Sequence, residues 1–196
     1  RNECLLVRTV FEMEFQGVAI DRQFCIDALN AAKKICDEMK GKFKDITGED
    51  FKTSGPLFQK IFESEKDNWT WGKPTKTGKI NPSFNAEAIA KLSHPAAKLL
   101  TDYTAAKSDM DFYAGFLEAA DPKGFVHTSL NQDGAKTGRF TSSNPNLQNM
   151  TKSEDDDLLE TYVVRRAIVP RPGKVFHMLD YRQMEYRFML DYAARF

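Results

Sequence analysis

Residues 21–48 read DRQFCIDALNAAKKICDEMKGKFKDITG, and this run constrains the chain more than any other stretch of it. Phe24, Ile26, Leu29, Ala32, Ile35, Met39 and Phe43 recur at helical spacing and draw one apolar stripe. Lys33, Lys34, Lys40, Lys42 and Lys44 fall mostly off it. Asp21 reads as an N-cap and Gly48 as a stop, so the run predicts one long helix with a wet, basic face. Such a stripe needs a partner. A second run supplies it: Pro95 suits a first helical turn, and Leu99, Leu100, Tyr103, Ala106, Met110, Tyr113 and Leu117 continue to just before Asp121-Pro122-Lys123-Gly124. Two long helices of similar length can pack antiparallel as a stalk.

The remaining segments are shorter. Leu5, Leu6, Val10 and Met13 predict an amphipathic helix ending at Gly17, a second helix is expected from Gly55 to Ser64, and a third from Ala86 to Leu92. Lys66 to Ser83 holds Trp69, Trp71, Pro74, Gly78 and Pro82, too many breakers for regular structure, and reads as a projecting loop. Beyond Gly124 the character changes. Phe125 to Leu130, Tyr162 to Val169 and Val175 to Leu179 read as strands, the last delivering Asp180 at its tip before a helical stretch from Gln183. The expectation is an α+β chain with a domain boundary near residues 122–124.

Charge and cysteines mostly exclude. Lys and Arg total 28 and so do Asp and Glu, so only local patterning can speak for nucleic acid. No apolar run reaches the ~20 residues a membrane span needs, and the first residues are not a secretory signal, so an intracellular protein is expected. Cys4, Cys25 and Cys36 show no metal-ligand spacing and read as buried thiols of a reducing compartment. The chain begins without Met and stops at Phe196 within a helix-like stretch, which reads as a cut from a longer protein.

Two stretches carry chemistry. Thr137 to Asn149 reads TGRFTSSNPNLQN: an Arg after a Gly, several hydroxyls and the amides Asn144, Asn146, Gln148 and Asn149 form a dense donor set for phosphates, sugars and base edges. A capped surface turn has the same composition. Asp180-Tyr181-Arg182-Gln183-Met184-Glu185 sets a carboxylate at a strand-to-helix turn, where it can hold Mg²⁺ or merely cap the helix. Glu154 to Asp157 reads as a solvated helix start, and His127 as a structural strand residue. Trp69 and Trp71 read more simply as packing of the loop onto its own domain than as a platform for bases.

In that order and separation the two stretches resemble the family A DNA polymerases of the bacterial polymerase I type, whose palm carries a TGR-x-S-S-x-x-PNLQN stretch followed by an Asp-Tyr-Ser-Gln-Ile-Glu-like motif A. Gly124, His127, Thr128, Ser129 and Gln132 resemble the family's strand before TGR, and Arg165 to Ala167 the one before motif A. Glu14 to Asp21, Phe51 to Ser54 and Thr75 to Gly78 resemble its leading segment and thumb.

The resemblance implies a helical thumb over residues 1–124, with two long antiparallel helices, and the N-terminal part of a palm over residues 125–196, with a small antiparallel sheet. By the same resemblance Asp180 is one of two catalytic metal-binding aspartates, with the Tyr181 carbonyl as a further metal contact, and Glu185 is the steric gate that excludes ribonucleotides. Arg139 reaches the minor-groove edge at the primer terminus; Thr137, Ser142, Asn146, Gln148 and Asn149 hold primer–template DNA; Lys73, Lys76 and Lys79 touch phosphates from the thumb tip.

The departures are Arg182 for the usual Ser, Met184 and Tyr186 around the gate, Phe140, Thr141 and Thr151. They fit a divergent member of the family, a viral one included. The implied partners are primer–template DNA and deoxynucleoside triphosphates, inside a bacterial cell or phage-infected host, with the fingers and remaining palm in the parent chain or a partner chain. Two Mg²⁺ ions serve the complete enzyme. This segment alone is expected to bind metal weakly or not at all and to be catalytically incompetent, because Asp191 lies ~16 Å along a helix from Asp180. Rival readings are a non-catalytic duplex-binding module, one part of a split polymerase, and a single-subunit RNA polymerase relative.

Overall fold

The structure is a computed structural model that describes residues 2–73, 78, 80–150 and 163–195. The stretch 21–48 forms the expected helix almost to the residue. Helix α2 spans Arg22–Thr47; the Asp21 carboxylate accepts a hydrogen bond from the Phe24 N–H at 2.9 Å, and Gly48 closes the helix at φ 70°, its N–H bonding the Lys44 carbonyl. Cys25, Ala28, Ala32, Cys36, Met39 and Phe43 are the buried stripe, while the lysines predicted off it are exposed. Small residues in the first half let the partner backbone come close.

That partner is α5, Pro95–Ala119, capped by His94, whose Nδ1 accepts from the Ala96 N–H at 3.1 Å. Two clusters fix the direction of the pair. One joins Phe43 to Ala96, Ala97 and Leu100, together with Phe58, Phe62, Ile89 and Leu92. The other joins Cys25 and Ala28 to Tyr113 and Phe116. The start of each long helix therefore meets the end of the other, the antiparallel stalk the sequence predicts. At the far end sit α3 (Gly55–Ile61), a 3₁₀ stretch at Glu63–Asn68 and α4 (Ala86–Ile89), which is shorter than the Ala86–Leu92 expected.

The cluster at the near end also contains Ile20, Val126, Val164 and Ala167. Strand β1 (Val18–Ala19) pairs antiparallel with β4 (Phe125–Val126), and Ile20 bridges to Ile168, so segments from before and after residues 122–124 contribute to this cluster. Helix α1, Asn2–Gln16, leads into β1. Of its predicted stripe Val10 is buried, whereas Leu6 and Met13 are exposed; the Leu5 and Cys4 side chains lie outside the description.

Three sequence expectations for strands need correction. Val175 to Leu179 pairs with no strand among the described residues; it runs in the open, with Met178 and Leu179 more than nine-tenths exposed. A strand is held by its neighbour's ladder, and without one the alternation of a segment does not make it a strand. In the Tyr162 to Val169 stretch, Val164–Ala167 is a 3₁₀ turn; Tyr162 lies outside the description. Phe125 to Leu130 splits into β4 and β5 (Ser129–Asn131). The loop expected from 66 to 83 is also more regular than read: β2 (Thr70–Trp71) pairs with β3 (Pro82–Ser83), and Gly72 N–H bonds the Asn81 carbonyl at 2.9 Å. Glu154 to Asp157, Thr151 and the Thr75 to Thr77 part of the thumb match lie outside the described residues.

Candidate active site

Strand β5 pairs with β6 (Thr141–Ser143) in the register Ser129↔Ser143, Leu130↔Ser142, Asn131↔Thr141, and the loop between them carries Thr137, Gly138 and Arg139. Gly134 permits that closure. A Cβ built on it would stand 1.8 Å from Thr141 Oγ1, so any larger residue must displace the hairpin. Gly138 N–H returns to the Ala135 carbonyl at 2.9 Å, leaving Thr137 and Arg139 exposed on the tip side.

The amide-rich turn that follows is built on one hydroxyl. Ser142 is 5% exposed, and its Oγ accepts from the Leu147 N–H at 3.0 Å, meets Thr128 Oγ1 at 2.7 Å and lies 3.3 Å from the Pro145 carbonyl. Thr128 Oγ1 in turn reaches the carbonyls of Ser143 at 3.0 Å and Pro145 at 2.8 Å. Ser142, expected to face DNA, is thus an internal brace. Gln148 Nε2 donates to the Phe140 carbonyl at 2.9 Å, and the Asn146 side chain accepts from Gln148 N–H at 3.0 Å, which folds the turn back on the loop end that carries Arg139. Asn146, Gln148 and Asn149 remain exposed. A cleft of about 440 Å³ separates the turn from α5, with Pro145 and Asn146 on one wall and Thr104, Lys107, Ser108 and Asp111 on the other.

The second motif approaches from helix α6, Met184–Arg195, preceded by Gln183 at φ 53°. Glu185 lies in its first turn, and the Arg139 guanidinium donates through Nη2 to the Glu185 carboxylate. This ion pair joins the two stretches that the sequence singled out. Both partners are about seven-tenths exposed, so the pair is positional rather than a large source of stability. An Arg presents five N–H donors, and the bond to Glu185 leaves others for a further acceptor.

Asp180 and Tyr181 stand exposed on the irregular segment that leads to α6. Their oxygens are of the hard type Mg²⁺ takes. A two-ion site needs more carboxylates than this: among the described residues no group of three or more His, Cys, Asp or Glu gathers to hold a metal. Asp191 is engaged elsewhere, pairing with Arg195 at 2.8 Å on α6. The donor set here does not fit a complete two-ion centre. Lys73 is exposed beyond β2, and Lys76 and Lys79 lie outside the described residues.

Sequence reasoning gave Glu14 no role, yet it anchors the strand leading to the site. Leu130 N–H donates to its Oε1 at 2.5 Å, and His127 Nδ1 donates to its carbonyl at 2.8 Å, the structural part expected of His127. Beside it the Asp121 carboxylate sits below the ordinary carboxylate range, chiefly because the Phe125 N–H bonds it at 2.8 Å, with further help from Lys123 N–H and His127. Glu14, three residues before the Gly17 that follows α1, carries no sequence signal of such contacts.

Comparison with known proteins agrees in direction. The family model described as DNA polymerase family A matches residues 23–195. DNA polymerase I of Caldicellulosiruptor bescii is 32% identical over 188 residues, covering 94% of this chain and 21% of its own length. DNA polymerase DpoZ of Salmonella phage PMBT28 is 27% identical over 213 residues, covering 98% of this chain and 33% of its own. A solved structure, the POL domain of Pol1 from M. smegmatis in complex with DNA primer-template and dNTP, superposes with a TM-score of 0.70 at 26% identity over 86% of this chain and 29% of that one. The chain spans about a fifth of the length of the first of these relatives.

Proposed function

The chain belongs to DNA polymerase family A, and from that membership we propose that it is the thumb and the first part of the palm of a DNA-directed DNA polymerase. In this reading residues 1–124 are the thumb with its leading helix and residues 125–196 the palm portion. The observation that carries the proposal is the ion pair between Arg139 and Glu185, which brings the amide-rich cradle and motif A to one place.

Each residue then has a task its geometry permits. Arg139 keeps donors free for the minor-groove acceptors of the terminal base pair, which every base pair offers, so pairing is sensed without reading sequence. Glu185, held by Arg139, forms the wall that a ribose 2′-hydroxyl would strike. Thr137, Asn146, Gln148 and Asn149 present exposed donors and acceptors to primer–template sugars and phosphates, and Ser142 braces them from inside. Lys73, with Lys76 and Lys79, adds phosphate contacts from the thumb tip.

Asp180 contributes one carboxylate, and the Tyr181 carbonyl one oxygen, to a Mg²⁺ site whose other ligands come from outside these residues. Magnesium there would activate the attacking hydroxyl and neutralise the triphosphate. Because one exposed carboxylate does not make that centre, the isolated chain grips DNA without extending it. The remaining palm and the nucleotide-binding fingers come from the parent chain or a partner. No helix among the described residues is long and apolar enough to cross a membrane, and the proposed place of action is inside a bacterial or phage-infected cell.

Fluorescence anisotropy with a labelled primer–template, titrated at increasing salt, tests the grip. The expected result is binding that weakens steeply as salt rises, with no primer extension when Mg²⁺ and deoxynucleotides are added. Absence of binding at low salt would sink the assignment of a DNA-gripping role, and extension by the purified chain would overturn its incompetence.

A further inference from the structure

The contact between Arg139 and Glu185 joins two arms that are 46 residues apart in sequence. Both side chains are largely exposed, and an exposed ion pair between long side chains is too weak to gather two such segments by itself. On the motif A side, residues 175–183 pair with no strand among the described residues before α6 begins. The support that sets the pair therefore lies upstream on each arm.

Both supports stand on the last turn of α1. Arg171 ties down the motif A arm: its Nη2 donates to the Gln16 carbonyl at 2.5 Å and lies 3.4 Å from the Gly17 carbonyl, and its guanidinium sits 4.9 Å over the Phe125 ring. The backbone is fixed on either side of it, Val169 N–H donating to the Ala19 carbonyl at 3.0 Å and Lys174 N–H to the Arg171 carbonyl at 2.9 Å. Carbonyls at a helix C-terminus lack intrahelical donors, and a cation there also suits the helix dipole. Glu14 ties down the other arm. Its Oε1 accepts from Leu130 N–H at 2.5 Å and its carbonyl meets His127 Nδ1 at 2.8 Å, and β5 then runs into the loop that carries Arg139. The turn and this strand are in close contact, for a Cβ on Gly17 would stand 2.8 Å from both His127 Nδ1 and the Val126 carbonyl.

We propose that Glu14 and Arg171 are positioning residues for the site, acting through Arg139 and Glu185: the last turn of α1 is a common mount that holds the TGR hairpin by one and the motif A arm by the other. The proposal rests on the polymerase reading and deepens it, because one turn of helix then sets the spacing between the residue that senses the primer terminus and the residue that forms the sugar wall.

An Arg139→Lys background turns the contact into a rate, since a carbodiimide joins the introduced amine to Glu185 only while the two arms meet. Mass spectrometry of timed digests reads that rate, and circular dichroism checks the fold of each variant. Arg171→Met keeps the stem over Phe125 and loses only the donors; it and Glu14→Ala should each slow coupling about fivefold, the effect of one lost charge-assisted hydrogen bond on a population. Arg171→Lys keeps a charged donor and should restore part of the rate, and Glu14→Gln keeps an oxygen for Leu130 N–H and should restore most of it. Asn85→Ala removes the cap of α4 at the far end of the stalk, and should leave the rate within about twofold. Unaltered coupling in folded Arg171→Met and Glu14→Ala chains would overturn the common mount and leave the polymerase reading standing. Equal slowing by Asn85→Ala would overturn it as well, since the effect would then be a general loss of stability. No coupling at Glu185 with both supports intact would remove the convergence itself, and the proposed function with it.

Discussion

Replacing Ser142 by Ala tests whether the cradle is built as described. The change deletes the acceptor of Leu147 N–H and the partner of Thr128 Oγ1, in a place where Ser142 is only 5% exposed. A lost hydrogen bond between protein groups costs about 1 kcal/mol net, and a buried donor left without an acceptor costs about 1–3 kcal/mol. Thr128 keeps two carbonyl partners, so the main loss is at Leu147, and about 2 kcal/mol is expected. For a chain of this size that lowers Tm by about 4–8 °C. Urea unfolding followed by circular dichroism reads the difference, and Thr128→Ala with the double variant completes a cycle. The two changes should be non-additive by at least ~0.5 kcal/mol, as for residues sharing one network. A Ser142→Ala midpoint unchanged within ~0.5 kcal/mol, or strict additivity, would refute the claim that one hydroxyl organises the turn.

Three further outcomes follow from local chemistry. Asp21→Ala, removing the cap of α2, should cost about 1 kcal/mol in urea unfolding. Asp121 has a folded pKa below its ordinary value, so its contribution to stability is present above the ordinary carboxylate range and is lost as pH falls through the folded value; a Tm–pH profile should show Asp121→Asn destabilised at neutral pH and converging with the parent in acid. Burial, with a smaller push from Asp21, raises the Cys25 thiol to about 11; peptide mapping after alkylation at pH 8 should find Cys25 unmodified in the folded chain and labelled once urea unfolds it.

What the sequence made legible was whatever is decided locally. Helix α2 begins and ends where Asp21 and Gly48 say, because a cap bonds its own neighbours within a few residues. Helix α5 starts at Pro95 for a similar reason. Strand pairing is decided by residues far apart in the chain. Val175 to Leu179 has strand composition but no neighbouring ladder, and Val18–Ala19 gives no strand signal yet pairs with Phe125–Val126. Helix α1 misled for a related reason: its apolar residues spread over most of its circumference, so a stripe through Val10 and Met13 did not identify the single buried face. At the site, the motif identities were readable but their division of labour was not. Ser142 and Thr128 look alike with neighbouring exposed hydroxyls, and only burial separates a brace from a contact. The meeting of Arg139 with Glu185 is likewise a tertiary fact that spacing along the chain does not contain.

Every role assigned at the site depends on two distant motifs sharing one place, and zero-length carbodiimide coupling of an Arg139→Lys variant measures this directly. Mass spectrometry of the digest should find the introduced amine joined to Glu185 within the monomer. Coupling of that amine to other carboxylates, with none at Glu185, would contradict the convergence of the cradle with motif A.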